Sequence, residues 1–219
     1  MYAVALSPNG LWAALGSADS LLRVYKFADP QLTSLEEFMT IPRAGQTSPD
    51  KHRSFIRSVE FDRESRRILT SGVDGTMKLW AARSGVLLRT FVGHTQEIKM
   101  CQMSPDCKSV FSCSLDDTAR MWNLDTGEEL FQIKMTDCVF AVCYSREGRM
   151  VATAAHNGYI KVWERDHTEF TRKPTRGSPN AIHPSLCAPI RPCHAPKAAR
   201  PVTARWAGGL ACGSCCGGS

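Results

Sequence analysis

His94, Ser112 and Asp116 are the residue types in this sequence best suited to chemistry. A hydroxyl activated by an imidazole, itself oriented by a carboxylate, is the machinery of acyl transfer. The same types return at the same spacings as His52, Thr70 and Asp74. In both sets a tryptophan follows the aspartate by six residues, at Trp80 and Trp122. A hydrolase triad explains neither the tryptophans nor the recurrence. It also needs a cleft and an oxyanion hole, which nothing in these stretches suggests. Other catalytic signatures are missing: there is no Walker loop, no His-Glu-x-x-His and no dinucleotide fingerprint. Cys212-Gly213-Ser214-Cys215, with Cys193-His194, offers zinc-ligand types. A zinc site usually needs two well-spaced ligand pairs in a foldable hairpin, and one proper pair is present. The expectation is a protein that is not an enzyme and that holds no metal or cofactor.

The elements that must position these residues repeat along the chain. Trp80, Trp122 and Trp163 stand 42 and 41 residues apart. The segments Leu69 to Trp80, Val110 to Trp122 and Ala152 to Trp163 match one another, and Ala14 to Tyr25 is a weaker copy. Each reads as strand, tight turn, strand, with alternating apolar residues. Asp74-Gly75 and Asn157-Gly158 sit where a hairpin needs positive φ. Upstream of each lies another short apolar strand closed by a polar turn, as at Ser104-Pro105-Asp106. A further strand follows, clearest over Val86 to Phe91 and Glu129 to Ile133. Four short antiparallel strands in about 40 residues are the mark of a propeller blade.

The chain resembles the WD-repeat family of β-propellers from residue 1 to about 165. Gly93-His94, followed 28 residues later by Trp122, matches the family's Gly-His to Trp-Asp span. The departures are that no tryptophan precedes an Asp, Tyr25 replaces the first Trp, and Lys51-His52 and Lys134-Met135 replace Gly-His. The resemblance implies two buried hydrogen-bonded tetrads: His52, Thr70, Asp74 and Trp80, then His94, Ser112, Asp116 and Trp122. A buried indole N–H needs an acceptor, which the hydroxyl supplies; the imidazole and carboxylate complete the chain, so every polar atom is satisfied. Met135 and Asn157 break that network around Thr153 and Trp163. Leu15 removes the hydroxyl from the first repeat. Both outer blades are therefore expected to be softer. The family's partner-binding top face maps onto Phe55, Arg57 and Val73, then Glu97, Lys99 and Leu115, then Cys138, Phe140 and His156, with Tyr2 and Ala18 in the first repeat. Aromatic and arginine side chains at such a rim suit protein binding.

The expected fold is all-β: four WD-repeat blades of four-stranded antiparallel sheets at about 1–40, 52–91, 94–134 and 135–165. An insertion loop is placed at about 28–50, and the fourth blade shows no convincing outer strand. The family commonly closes with about seven blades, so four predict an incomplete, open arc of a larger propeller. Its free flanks are expected around Val4, Leu6 and Trp12, and around Val151, Ile160 and Val162. Such a chain should self-associate or need a partner that supplies missing blades.

Residues 166–219 form a basic Pro/Cys/Gly-rich tail, expected to be disordered. They hold seven of the twelve prolines, and seven basic residues without an acid lie between 170 and 219. The remaining body carries 20 basic and 21 acidic residues, so it offers no phosphate-binding field and nucleic acid is not the expected partner. No apolar run approaches a spanning helix, and the start has neither a basic n-region nor an uninterrupted apolar core. Five cysteines at apolar body positions suit reduced thiols and an intracellular location, cytoplasmic or nuclear. The expected function is a non-catalytic scaffold presenting a propeller top face to proteins or peptides. The alternative is a substrate receptor of a cullin-type ubiquitin ligase, because Trp80-Ala81-Ala82-Arg83 keeps the Trp and Arg of a Trp-Asp-x-Arg motif.

Overall fold

A computed structural model describes residues 3–27, 34–41, 50–165 and 170–173. Tyr2, the segments 28–33 and 42–49, and the zinc-ligand types of the tail lie outside them. The first sheet contains β1 (Ala3–Leu6), β2 (Trp12–Gly16), β3 (Leu22–Phe27) and β4 (Leu35–Ile41). The second has β5 (Ile56–Phe61), β6 (Arg67–Gly72), β7 (Thr76–Ala81) and β8 (Leu87–Val92). The third has β9 (Ile98–Met103), β10 (Ser109–Ser114), β11 (Thr118–Asn123) and β12 (Glu129–Lys134). The fourth has β13 (Val139–Tyr144), β14 (Met150–Ala155), β15 (Ile160–Arg165) and β16 (Phe170–Lys173). Each sheet is an antiparallel meander in chain order, the simplest way for short alternating strands to pair. The β6–β7 and β14–β15 hairpins turn at Gly75 and Gly158, with φ of 71° and 83°. Asp117 takes the same place between β10 and β11 at φ 62°, a conformation that aspartate tolerates better than most residues.

Two outer strands depart from expectation. β4 falls inside the stretch assigned to an insertion loop, and β16 gives the fourth blade an outer strand within the segment assigned to the tail. Neither carries a readable period: Leu35 through Phe38 are all exposed, and β16 has four residues, held by pairing to β15 from Val162↔Lys173 to Arg165↔Phe170.

The blades stack through three buried clusters. Ala14, Leu22 and Val24 of the first blade meet Val59, Phe61 and Trp80 of the second. Leu69, Met77 and Leu79 meet Cys101, Val110 and Trp122. Phe111, Cys113 and Met121 meet Val142, Tyr144 and Val151. Each sheet thus turns one face to its predecessor and the other to its successor. Among the described residues no such cluster joins the fourth blade to the first, and the four sheets form an open arc. Val4 and Leu6, 61% and 66% exposed, mark one flank, and Ile160, 40% exposed, lies on the other. Trp12 and Val151 do not belong to these flanks. Alternation along the strand turns Trp12 toward the second blade and Val151 toward the third, where both pack into inter-blade clusters. No helix among the described residues is long and apolar enough to cross a membrane.

Candidate functional site

The polar constellations first singled out lie inside the second and third blades. Trp80 Nε1 donates to Thr70 Oγ1 at 2.9 Å, and that hydroxyl is 2.8 Å from His52 Nε2. His52 Nδ1 is 3.0 Å from Asp74 Oδ2, which also accepts the Arg53 amide at 2.8 Å. In the third blade Trp122 Nε1 donates to Ser112 Oγ at 2.9 Å. Ser112 Oγ is 2.8 Å from His94 Nε2, and His94 Nδ1 is 2.8 Å from Asp116 Oδ2. Burial pushes the Asp74 carboxyl up, but hydrogen bonds from His52, Arg53 and Thr76 outweigh it and hold the group well below the usual carboxylate range. Asp116 is likewise lowered: burial opposes, while Thr118 and His94 prevail. Burial lowers His94 against the pull of Asp116, which favours a neutral ring that donates through Nδ1 and accepts through Nε2. Ser112 is fully buried, with its oxygen shared between the indole and the imidazole. A substrate has no approach to it, so the constellation holds the blade together rather than attacking a bond.

The fourth blade keeps a remnant of this network. Trp163 Nε1 reaches Thr153 Oγ1 at 3.3 Å, and Met135 Sδ, 3.9 Å from that hydroxyl, stands where an imidazole would be. A thioether is a weak acceptor, so the chain stops there.

The top-face positions lie where each inner strand begins and where the following hairpin turns. Backbone bonds tie the two places together in three blades: Val73 N to Phe55 O at 2.9 Å, Leu115 N to Glu97 O at 3.0 Å, and His156 N to Cys138 O at 2.8 Å. The side chains form a row across blades. Glu97 accepts Arg57 Nε at 2.5 Å and Lys99 Nζ at 2.9 Å. Lys99 Nζ lies 5.6 Å from the centre of the Phe140 ring, and that ring is 5.6 Å from His156. His156 closes the row 3.7 Å from Asp137. Phe55 and Phe140 remain 40% and 43% exposed. Val73 and Leu115 are half-buried between neighbours, and Ala18 is half-buried at the same rim of the first blade.

Asp137 had no motif to mark it; only the fold brings it to His156. Asp117, Asp137 and Cys138 also present ligand atoms within 4.8 Å of one another. The Cys138 thiol donates to Leu115 O, and its pKa is pushed up by desolvation, by a hydrogen bond with Asp117 and by the charges of both aspartates. Acidic groups commonly cluster in this way without an ion, so no metal is assigned.

The family profile described as "WD domain, G-beta repeat" matches residues 46–81, 85–123 and 128–164. Apoptotic protease-activating factor 1 of Rattus norvegicus is 26% identical over 188 residues, 85% of this chain and 13% of that protein. Protein groucho of Drosophila melanogaster is 24% identical over 159 residues, 73% of this chain and 20% of that protein. The SIR4-interacting protein SIF2 of Saccharomyces cerevisiae is 28% identical over 141 residues, 64% of this chain and 26% of that protein. The chain thus spans between about an eighth and a quarter of the length of these relatives.

Proposed function

The chain belongs to the WD-repeat family, and on that premise we propose that it is a non-catalytic scaffold whose top face binds protein or peptide partners. The observation that carries the reading is the continuous row from Arg57 through Glu97, Lys99 and Phe140 to His156. Charges that already hold one another are fixed in place before a partner arrives, which lowers the ordering cost of binding. Two half-exposed phenylalanines beside them supply apolar anchors of the kind that dominate interface energetics. The buried tetrads hold the strands that present Arg57, Glu97 and Lys99. The relatives' names fit such a role, SIF2 being described as SIR4-interacting. An intracellular setting, cytoplasmic or nuclear, belongs to the same proposal: Cys101, Cys107 and Cys138 are free thiols. A ligase-receptor role draws no support from the Trp80–Arg83 turn, where Ala81 stands in the place of the motif's aspartate.

The test is affinity capture with the full chain, followed by measured affinity for each captured protein. A Phe55→Ala/Arg57→Glu/Phe140→Ala variant should bind at least about 30-fold more weakly, as loss of interface hot spots implies. A Leu88→Ala/Leu130→Ala variant on the outer strands should bind as the parent does. Equal loss in both, or loss only in the second, would refute the top-face reading.

A further inference from the structure

We propose that two copies of this chain associate head to tail, the fourth blade of each packing on the first blade of the other, to close a ring of eight blades. Counting back from Tyr25 and Trp163 at equivalent positions, the face that the first blade buries against the second has a near copy on the fourth blade. Ala3, Ala5, Ala14, Leu22 and Val24 correspond to Ala141, Cys143, Ala152, Ile160 and Val162. The strand registers set these last five on one face, since Cys143 pairs Ala152, Ala152 pairs Val162 and Ala141 and Ile160 both pair Ala154. That face is turned away from the third blade, and its small side chains leave room for bulk from a following sheet.

The first blade supplies that bulk on its own outward face. Val4, Leu6 and Tyr25 occupy the positions that Val59, Phe61 and Trp80 hold on the second blade. In the second blade these three are buried against the small face of the first. In the first blade, Val4 and Leu6 are 61% and 66% exposed, where Val59 and Phe61 are 8% and 6%. The two flanks of the arc are thus the two halves of a joint that the chain already makes once, between its first and second blades.

A polar detail agrees. The second and third joints each contain an inter-blade hydrogen bond, Met103 N to Glu60 Oε2 at 2.6 Å and Tyr144 N to Gln102 Oε1 at 2.8 Å. At the same position the first blade has Ala5 and the fourth has Cys143. Ala5 has no side-chain acceptor, so the first joint holds without this bond, and a joint on the fourth blade would resemble it. The two new contacts in a pair are related by a two-fold axis, so the assembly closes rather than growing into a filament. Eight blades lie within the range that propellers adopt.

Sedimentation equilibrium of the full chain tests this. The parent should show a mass twice its 24.2 kDa over a range of concentrations. Leu6→Arg and Ala152→Arg, one on each flank, should each sediment as monomers when alone. An equimolar mixture should recover the dimer mass, because the intact fourth blade of the Leu6→Arg chain can take the intact first blade of the Ala152→Arg chain. Recovery on mixing also shows that both variants fold. A monomeric parent, open-ended polymers, a single variant that stays dimeric, or a mixture that stays monomeric would each overturn the proposal.

Discussion

Replacing Glu60 with glutamine should stabilise the protein at neutral pH and remove the fall in stability that this carboxyl group causes between about pH 5 and 8. Glu60 sits at the joint between the second and third blades, where its Oε2 accepts the Met103 amide at 2.6 Å. Burial pushes its pKa up to about 8, against a small opposing effect of that hydrogen bond. In the unfolded chain the group titrates near 4.5. Between those values the unfolded state releases the proton while the folded state keeps it. The stability that Glu60 contributes is therefore full below about pH 4.5, falls as pH rises toward 8, and levels off above it. At pH 7 the unscreened effect would be about 3 kcal/mol, from roughly 1.4 kcal/mol per pH unit. Glu60 is half-buried as a residue, so solvent screens part of this and about 1–2 kcal/mol is expected. Gln102 accepts the Tyr144 amide in the equivalent place, so an amide can keep the bond. Urea denaturation followed by tryptophan fluorescence from pH 5 to 9 is the assay. Glu60→Gln should match the parent near pH 5 and exceed it increasingly up to pH 8. Parallel curves, or a variant weaker than the parent at pH 8, would refute a neutral Glu60.

Other outcomes follow from the same geometry. Trp122→Phe leaves the buried Ser112 hydroxyl without the indole donor and should cost about 1–3 kcal/mol; Trp163→Phe, losing a 3.3 Å contact to Thr153, should cost less, and equal shifts in urea midpoint would contradict the difference between complete and partial networks. Gly75→Ala should cost about 1–2 kcal/mol, because φ is 71° and a Cβ would stand 3.0 Å from the His94 carbonyl oxygen; an unchanged midpoint would contradict it. Burial raises the Cys101 thiol to about 12, so iodoacetamide at pH 8 should leave it unmodified in the folded chain and label it in urea, as read by peptide mass spectrometry. Prompt labelling of the native protein would show that the second joint opens readily.

The inner strands and hairpins were legible because each pairs a period of two with a turn that demands special residues, as at Asp74-Gly75. The outer strands of the second and third blades were read as well, over Val86 to Phe91 and Glu129 to Ile133, but those of the first and fourth were not. Leu35 through Phe38 face solvent, so no alternation was imposed on them, and Phe170 to Lys173 are too few to show any. The flanks were half-read for a different reason. Hydrophobicity marks a residue as buried but does not say against which neighbour, so Trp12 and Val151 were assigned to the wrong face of their sheets. Counting from histidine and tryptophan located the rim positions. It could not show that Glu97 joins Arg57 to Lys99, because Arg57 reaches it from the neighbouring blade, nor that Asp137 meets His156, because strand pairing within the fourth blade brings together residues 19 apart in sequence.

The most direct measurement of the central claim is hydrogen–deuterium exchange of the full chain with and without a captured protein partner. The account predicts protection concentrated at the rim, around residues 53–57, 73, 97–99, 115, 138–140 and 156, with exchange in β8 and β12 unchanged. Protection confined to the outer strands, with the rim amides exchanging as in the unbound chain, would contradict it.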